Sequence, residues 1–236
     1  IDYSKYEIDF NNNSISSYKP YIDFIYLYSF NLTKSKSNHN FQVERLKILD
    51  SLVQSDNIKS KLFRFLAFEI LLNEKSLKEK RIFFEEFKNI SDYSSINNEV
   101  EILLKNQLQL SPGKSFPSIK GYGLNGSIKD ISTISDKKII FFWSYDQNAH
   151  FNSIYQKINS LENKYLSYKL ISLNINDDFD KWKSNYKTTK NVTELQTNDF
   201  EYMSKKLILD NLNKVFIVDE NNIIQAIGSI NDFIRN

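Results

Sequence analysis

The feature that most constrains this chain is a single change of hydrophobic period. Up to about residue 110, apolar side chains recur every three or four positions, as on one face of a helix; beyond it they come in short unbroken runs, as in buried strands. The segment between, Ser111-Pro112-Gly113-Lys114-Ser115-Phe116-Pro117, holds two of the three Pro, and all five Gly fall from Gly113 to Gly228. The pattern predicts two domains, an all-α helical one over 1–110 and an α/β one over 111–236.

In the first part Pro20 suits a helix first turn, and Tyr21, Phe24, Ile25 and Tyr28 follow it at helical spacing. Leu46, Leu49, Leu52 and Val53 repeat the pattern with charges between them. Leu62 to Leu72 is apolar on more than one side, which predicts a central helix. Ile82, Phe83 and Phe87, then Val100, Leu103, Leu104 and Leu108, complete a set of about five helices. The mixed-charge run Glu74 to Arg81 reads as a solvated face.

In the second part Lys138-Ile139-Ile140-Phe141-Phe142-Trp143 reads as a buried central strand. Ile154, Ile158, Leu161 and Tyr165 give a helix stripe, Tyr168 to Ile175 a second strand parallel to the first, and Trp182 to Tyr186 a short helix. Lys214 to Asp219 and Ile223 to Ile227 flank Glu220-Asn221-Asn222 as a hairpin, and Ile230 to Ile234 closes as a helix. The order is βαβ, then ββα.

Composition removes several function classes. Lys and Arg number 31 against 29 Asp and Glu, a formal charge of +2, which lacks the cationic excess that nucleic-acid backbones require. Cys is absent, so no disulfide scaffold and no thiolate zinc cluster exists, though zero Cys suits either redox compartment. No apolar run reaches the ~18 residues of a membrane span. The first residue is Ile1 and not Met, so a processed or missing start is expected, with room for a signal or a lipid anchor.

With these residues in view, Ser111 to Asn236 resembles the thioredoxin fold, specifically the TlpA-like or peroxiredoxin-like thioredoxin domains of bacterial envelopes. The resemblance rests on Gly113 to Pro117, on Asn125-Gly126 before Asp136-Lys137, on Phe142-Trp143, and on Asn213 to Asp219 followed by Ile223 to Ile227. The whole chain, with its Asn-, Lys- and Ile-rich helical part, looks like proteins of Bacteroidota, flavobacteria in particular. The family's redox motif is W-C-x-x-C. Here Gln147 and His150 stand at the two Cys positions, and Asn213 stands at the family's cis-proline. An amide and an imidazole cannot form the mixed disulfide of thiol exchange, and a peroxidatic Cys has no substitute in a chain without Cys. A non-proline cis bond costs about 3–4 kcal/mol, so the bond from Leu212 to Asn213 is expected to be trans.

The resemblance together with its departures implies a redox-inactive accessory subunit of a periplasmic, outer-membrane-associated complex, with protein partners, no cofactor and no metal. A first alternative is a peptide-binding chaperone that keeps the thioredoxin groove. A second is an enzyme of unrelated chemistry built on His150 and Asp146, although Asp146 reads more simply as a helix N-cap. His39 and His150 are the two His, too few for a zinc site without carboxylates. Two surfaces are candidates for a partner: Tyr18, Tyr21, Tyr26 and Tyr28 in the helical part, and the rim from Tyr145 to Phe151. Asn-x-Ser/Thr triplets at Asn12, Asn31, Asn89, Asn125 and Asn191 are expected by chance in this composition. Asp50-Ser51-Leu52 resembles a short O-glycosylation signal of Bacteroidota envelopes.

Overall fold

The computed structural model describes residues 9–36, 40–74, 76–176, 178–185, 192–197 and 199–235. Tyr186, Asn191, His39 and, within the run Glu74 to Arg81, Lys75 lie outside them. The chain divides into two compact units, Ile1–Lys105 and Asn106–Asn236.

The first unit contains α1 (Lys19–Lys36), α2 (Phe41–Leu52), α3 (Asp56–Asn73), α4 (Leu77–Ile90) and α5 (Ser94–Gln109), the division falling in the last turn of α5. Pro20 sits in the first turn of α1, where its missing N–H costs nothing. Asn40 and Ser76 cap α2 and α4 by accepting the N–H groups of Val43 and Glu79. The central helix is α3: Ile58, Leu62, Phe63, Leu66, Ala67, Ile70 and Leu71 are buried, and it packs against α1, α2 and α4. One expectation fails on α4. Lys80 belongs to the predicted solvated run, yet it is buried in line with Phe83, Phe84 and Phe87 at helical spacing, its long stem covering apolar surface. Burial lowers its pKa, against the opposing pull of Glu74.

The second unit is built on one seven-stranded sheet. Its strands are β1 (Lys120–Tyr122), β2 (Ile128–Asp130), β3 (Lys138–Trp143), β4 (Lys169–Asn174), β5 (Val192–Thr197), β6 (Lys214–Val218) and β7 (Ile224–Ser229), in the order β2-β1-β5-β4-β3-β6-β7. The strands β5, β4 and β3 are parallel, and the pairs on either side are antiparallel. Around them lie α6 (Asn148–Lys164), α7 (Phe179–Asn185), α8 (Phe200–Leu207) and α9 (Ile230–Arg235). The predicted parallel pair and the closing hairpin are present; β5 and α8 have no counterpart in the predicted element order, and the Asn125-Gly126 of the resemblance lies in the turn between β1 and β2.

All six residues of β3 are buried, and alternate side chains feed two cores. Ile140 and Phe142 join Ile171, Leu173, Leu195, Phe216 and the α8 residues Met203 and Leu207 on one face. Ile139, Phe141 and Trp143 join Val215, Ile217 and the α6 residues Phe151, Ile154, Tyr155, Ile158 and Leu161 on the other, with Trp182 of α7 and Ile230 of α9. Each such side chain withdrawn from water contributes about 1.5–3 kcal/mol before chain entropy is charged against it. Two local devices fix the frame. Gly121 lies so close to β5 that a Cβ would come within 2.8 Å of the Gln196 carbonyl oxygen. The turn from β6 to β7 is held by Asp219, whose Oδ1 accepts the N–H groups of Asn221 and Ile223 at 3.0 and 2.8 Å. No helix among the described residues is long and apolar enough to cross a membrane.

Candidate functional site

The candidate site is the turn by which β3 hands the chain to α6. Trp143 ends the strand fully buried, and Ser144 Oγ accepts the N–H of Asp146 at 3.2 Å. Asn176, just past β4, bridges to this turn: its Oδ1 accepts the Tyr145 N–H at 3.1 Å and its Nδ2 donates to Asp146 Oδ2 at 2.7 Å. Lys181 of α7 donates to Asp146 Oδ1 at 2.8 Å and lies over the Tyr145 ring, 4.5 Å from its centre. Asp146 is therefore no N-cap. The cap position is Gln147, which makes no side-chain capping bond, because two stronger partners hold the Asp146 carboxylate away from the helix start.

Gln147 at the cap and His150 in the first turn of α6 stand three residues apart. Gln147 is exposed and His150 half-buried. His150 is not the solvated residue that a helix first turn suggests. Both ring nitrogens are shut off from water without a well-formed hydrogen bond, and the polar groups nearest to bonding with them are the Leu212 backbone and the Asn213 side chain. Burial, with a contribution from Lys157, lowers the imidazole pKa, against the pull of Leu212 and Asn213. His150 and Asn213 are thus neighbours in space. No peptide bond among the described residues is cis, so Leu212–Asn213 is trans as expected. His150 and Asp146 are not brought together: Asp146 is bound toward β4 and α7, while His150 faces the approach to β6. Among the described residues no group of three or more His, Asp or Glu could hold a metal ion.

The two predicted partner surfaces are largely absorbed into packing. Phe151 is buried between Trp143 and Tyr155, ring centres 4.5 and 4.7 Å away, so it supports the rim from below and does not line it. Tyr145 stays half-buried at the rim. Tyr26 is buried beneath the Arg45 guanidinium, which lies 3.8 Å from its ring centre. Tyr28 packs at a tilt against Phe10 and Phe24, and the Tyr21 hydroxyl donates to the Asp9 carbonyl while accepting the Asn12 N–H. Tyr18, 61% exposed, is the one of the four still open to a partner.

Under the rim lies a polar group with no forerunner in the sequence pattern. Glu194 of β5 is buried on the face that α6 covers, beside its register partner Ser172 of β4. Trp143 Nε1 donates to Ser172 Oγ at 2.6 Å, Ser172 Oγ donates to Glu194 Oε2 at 2.5 Å, and the Tyr155 hydroxyl donates to Glu194 Oε1 at 2.5 Å. Burial raises the Glu194 carboxyl pKa, against the lowering by Ser172 and Tyr155. The Tyr155 phenol is raised too, first by burial and then by Glu194. The charged residue at position 194 masks the strand, and reading it as half of a buried pair requires knowing that residue 172 is its neighbour.

Set against solved structures, the chain matches a thioredoxin-like protein from Bacteroides caccae with a TM-score of 0.58 at 12% identity, covering 97% of this chain and 87% of that one. The fold is thioredoxin-like. At that identity the match speaks for the fold alone. Shorter matches are to the thioredoxin domain of a thiol-disulfide oxidoreductase from Bacteroides vulgatus (TM-score 0.39, 16% identity, 53% of this chain and 93% of that one), and to a thiol:disulfide interchange protein from Bacteroides sp. (TM-score 0.40, 17% identity, 53% and 87%). No protein-family model and no curated protein matches the chain.

Proposed function

We propose that this thioredoxin-like fold is of the TlpA-like subtype and has been kept as a scaffold without redox chemistry. In this reading the protein is a non-catalytic accessory subunit of a cell-envelope complex, periplasmic and beside the outer membrane. The observation that carries the reading is the site itself. Gln147 caps α6 and His150 in its first turn lies against Asn213, at the positions where the resemblance puts the family's two Cys and its proline, and the chain has no thiol to carry exchange or peroxide reduction. Around that inert turn the aromatic core of Trp143, Phe151 and Tyr155 is complete. A domain that keeps its core and lacks its nucleophile contributes by contact, and Tyr145 and Tyr18 are the open aromatic positions a partner would use.

The first test is chemical. The purified protein should reduce insulin and turn over peroxide no faster than buffer, and Q147C/H150C should recover weak reduction at most, since Asn213 leaves the groove altered. Turnover by the unaltered chain that survives removal of contaminants ends the proposal. The second test is physical: affinity capture from native membranes should return a stoichiometric protein partner. Recovery of a cytosolic monomer at native abundance would contradict it, and promiscuous capture of unfolded peptides would transfer the domain to the chaperone class.

A further inference from the structure

The inert turn does not explain the acid beneath it. Glu194 ties four elements together through one carboxyl: β5 carries it, β4 supplies Ser172, β3 supplies Trp143 behind the serine, and α6 supplies Tyr155. Because the Trp143 N–H already occupies Ser172 Oγ, the serine hydrogen is directed at the carboxyl. From α7, Trp182 packs into the same core. Of these facing groups, Tyr155 is the titratable one and none is cationic; among the described residues Glu194 enters no ion pair.

We propose that Glu194 is a proton-operated latch between the sheet and α6, closed while the carboxyl holds its proton and slackened when the proton leaves. In the neutral acid the carboxyl O–H donates to the Tyr155 hydroxyl oxygen across the same contact while Ser172 still donates to the other oxygen, at small solvation cost. The ionised form is a buried charge with two hydroxyl donors and no counter-ion, a state that favours admitting water. Ser172 and Trp143 belong to paired central strands, so the partner able to give way is Tyr155, on the helix laid over them. Burial already holds the carboxyl above the ordinary glutamate range, which places the release on the alkaline side of that range. The same helix carries Gln147 and His150 at its start, so slackening reaches the candidate rim. On the same helix His150, with Lys157 beside it, is displaced in the opposite direction, which makes it the natural control.

The test uses the full chain with carbon-13-labelled Glu. The Glu194 carboxyl resonance is identified by its loss in E194Q, and exchange of the α6 amides from Phe151 to Leu161 is followed from pH 4 to 8 with intrinsic rates divided out. Expected are a carboxyl midpoint above the ordinary glutamate range, a fall in α6 protection of about tenfold or more across that midpoint, an unchanging protection in E194Q, and a retained transition in H150Q. A midpoint within or below the ordinary range overturns the latch, as does wild-type protection that ignores pH or an E194Q profile that copies the wild type. Should E194Q fail to fold, Y155F decides: its carboxyl still titrates while α6 protection no longer follows, and wild-type coupling in Y155F refutes the proposal.

Discussion

Replacing Arg45 by Ala should destabilise the helical unit by about 2–4 kcal/mol, whereas Arg45→Met should lie within about 1 kcal/mol of the wild type. Arg45 of α2 is 2% exposed, and burial pulls its guanidinium down to about 10, still charged at neutral pH. The head lies 3.8 Å from the Tyr26 ring centre and 5.3 Å from that of Phe30, a stacked, desolvated cation–π arrangement of roughly 1–2 kcal/mol. Its Nη2 donates to the Tyr26 carbonyl at 3.1 Å, a charged bond of about 1.5–3 kcal/mol in isolation. The partner carboxylate of Glu69 stands 3.4 Å away but 41% exposed, so that pair is screened and adds little. Desolvating the guanidinium costs several kcal/mol and consumes much of this sum, which is why a well-packed apolar substitute recovers most of the loss. Alanine recovers none of it, because it leaves a cavity between α1, α2 and α3. Urea unfolding followed by helical circular dichroism measures both variants. An R45A midpoint matching the wild type, or R45M falling as far as R45A, would refute the reasoning.

Gly121→Ala should cost about 1–3 kcal/mol, read from the unfolding of Trp143 and Trp182 fluorescence, because its Cβ meets the Gln196 carbonyl at 2.8 Å and Leu195 Cβ at 3.1 Å and the β1–β5 pairing must yield. His150 has a folded pKa below its unfolded one, so the native state binds fewer protons there. Its contribution is complete above the unfolded value near ~6.5 and is lost as pH falls through the folded one. Denaturation midpoints between pH 7.5 and 5 should therefore drop less in H150Q than in the wild type, and equal slopes would dismiss the shift.

The parts of the fold that sequence discloses are those in which burial and apolarity coincide. β3 is legible because six consecutive buried positions are filled by Lys-Ile-Ile-Phe-Phe-Trp; even Lys138 complies, its stem inside and its Nζ donating to the Ile134 carbonyl at 2.6 Å. β5 is illegible for the opposite reason. Its last four residues are buried, yet three of them are Glu194, Gln196 and Thr197, made tolerable by partners such as Tyr155 and the Asn176 carbonyl that only the folded chain supplies. At the candidate site the sequence positions of Gln147, His150 and Asn213 relative to β3 and β6 are readable, and the side-by-side placing of His150 and Asn213 is what the folded chain adds. What Asp146, Phe151 and Tyr26 do is not visible in one dimension. Each is claimed by a neighbour far away in sequence, respectively Lys181, Trp143 and Arg45, and a helical period reports which face a side chain occupies but not what waits there.

The place of β5 in the sheet also sets an order of assembly. The β1–β2 hairpin is made early in the chain, yet its sheet neighbour is β5, with Gly121 opposite Thr197, and β3 and β4 are laid down between them. Three-residue strands in an isolated hairpin are not stable in water, so this end of the sheet stays open until β5 arrives and closes a long loop. Meanwhile β3 and β4 can pair through α6 at much shorter separation. The topology therefore favours condensation from β3 and β4 outward, with the N-terminal hairpin unable to dock before β5, a strand whose own seat is furnished by Ser172 and Tyr155.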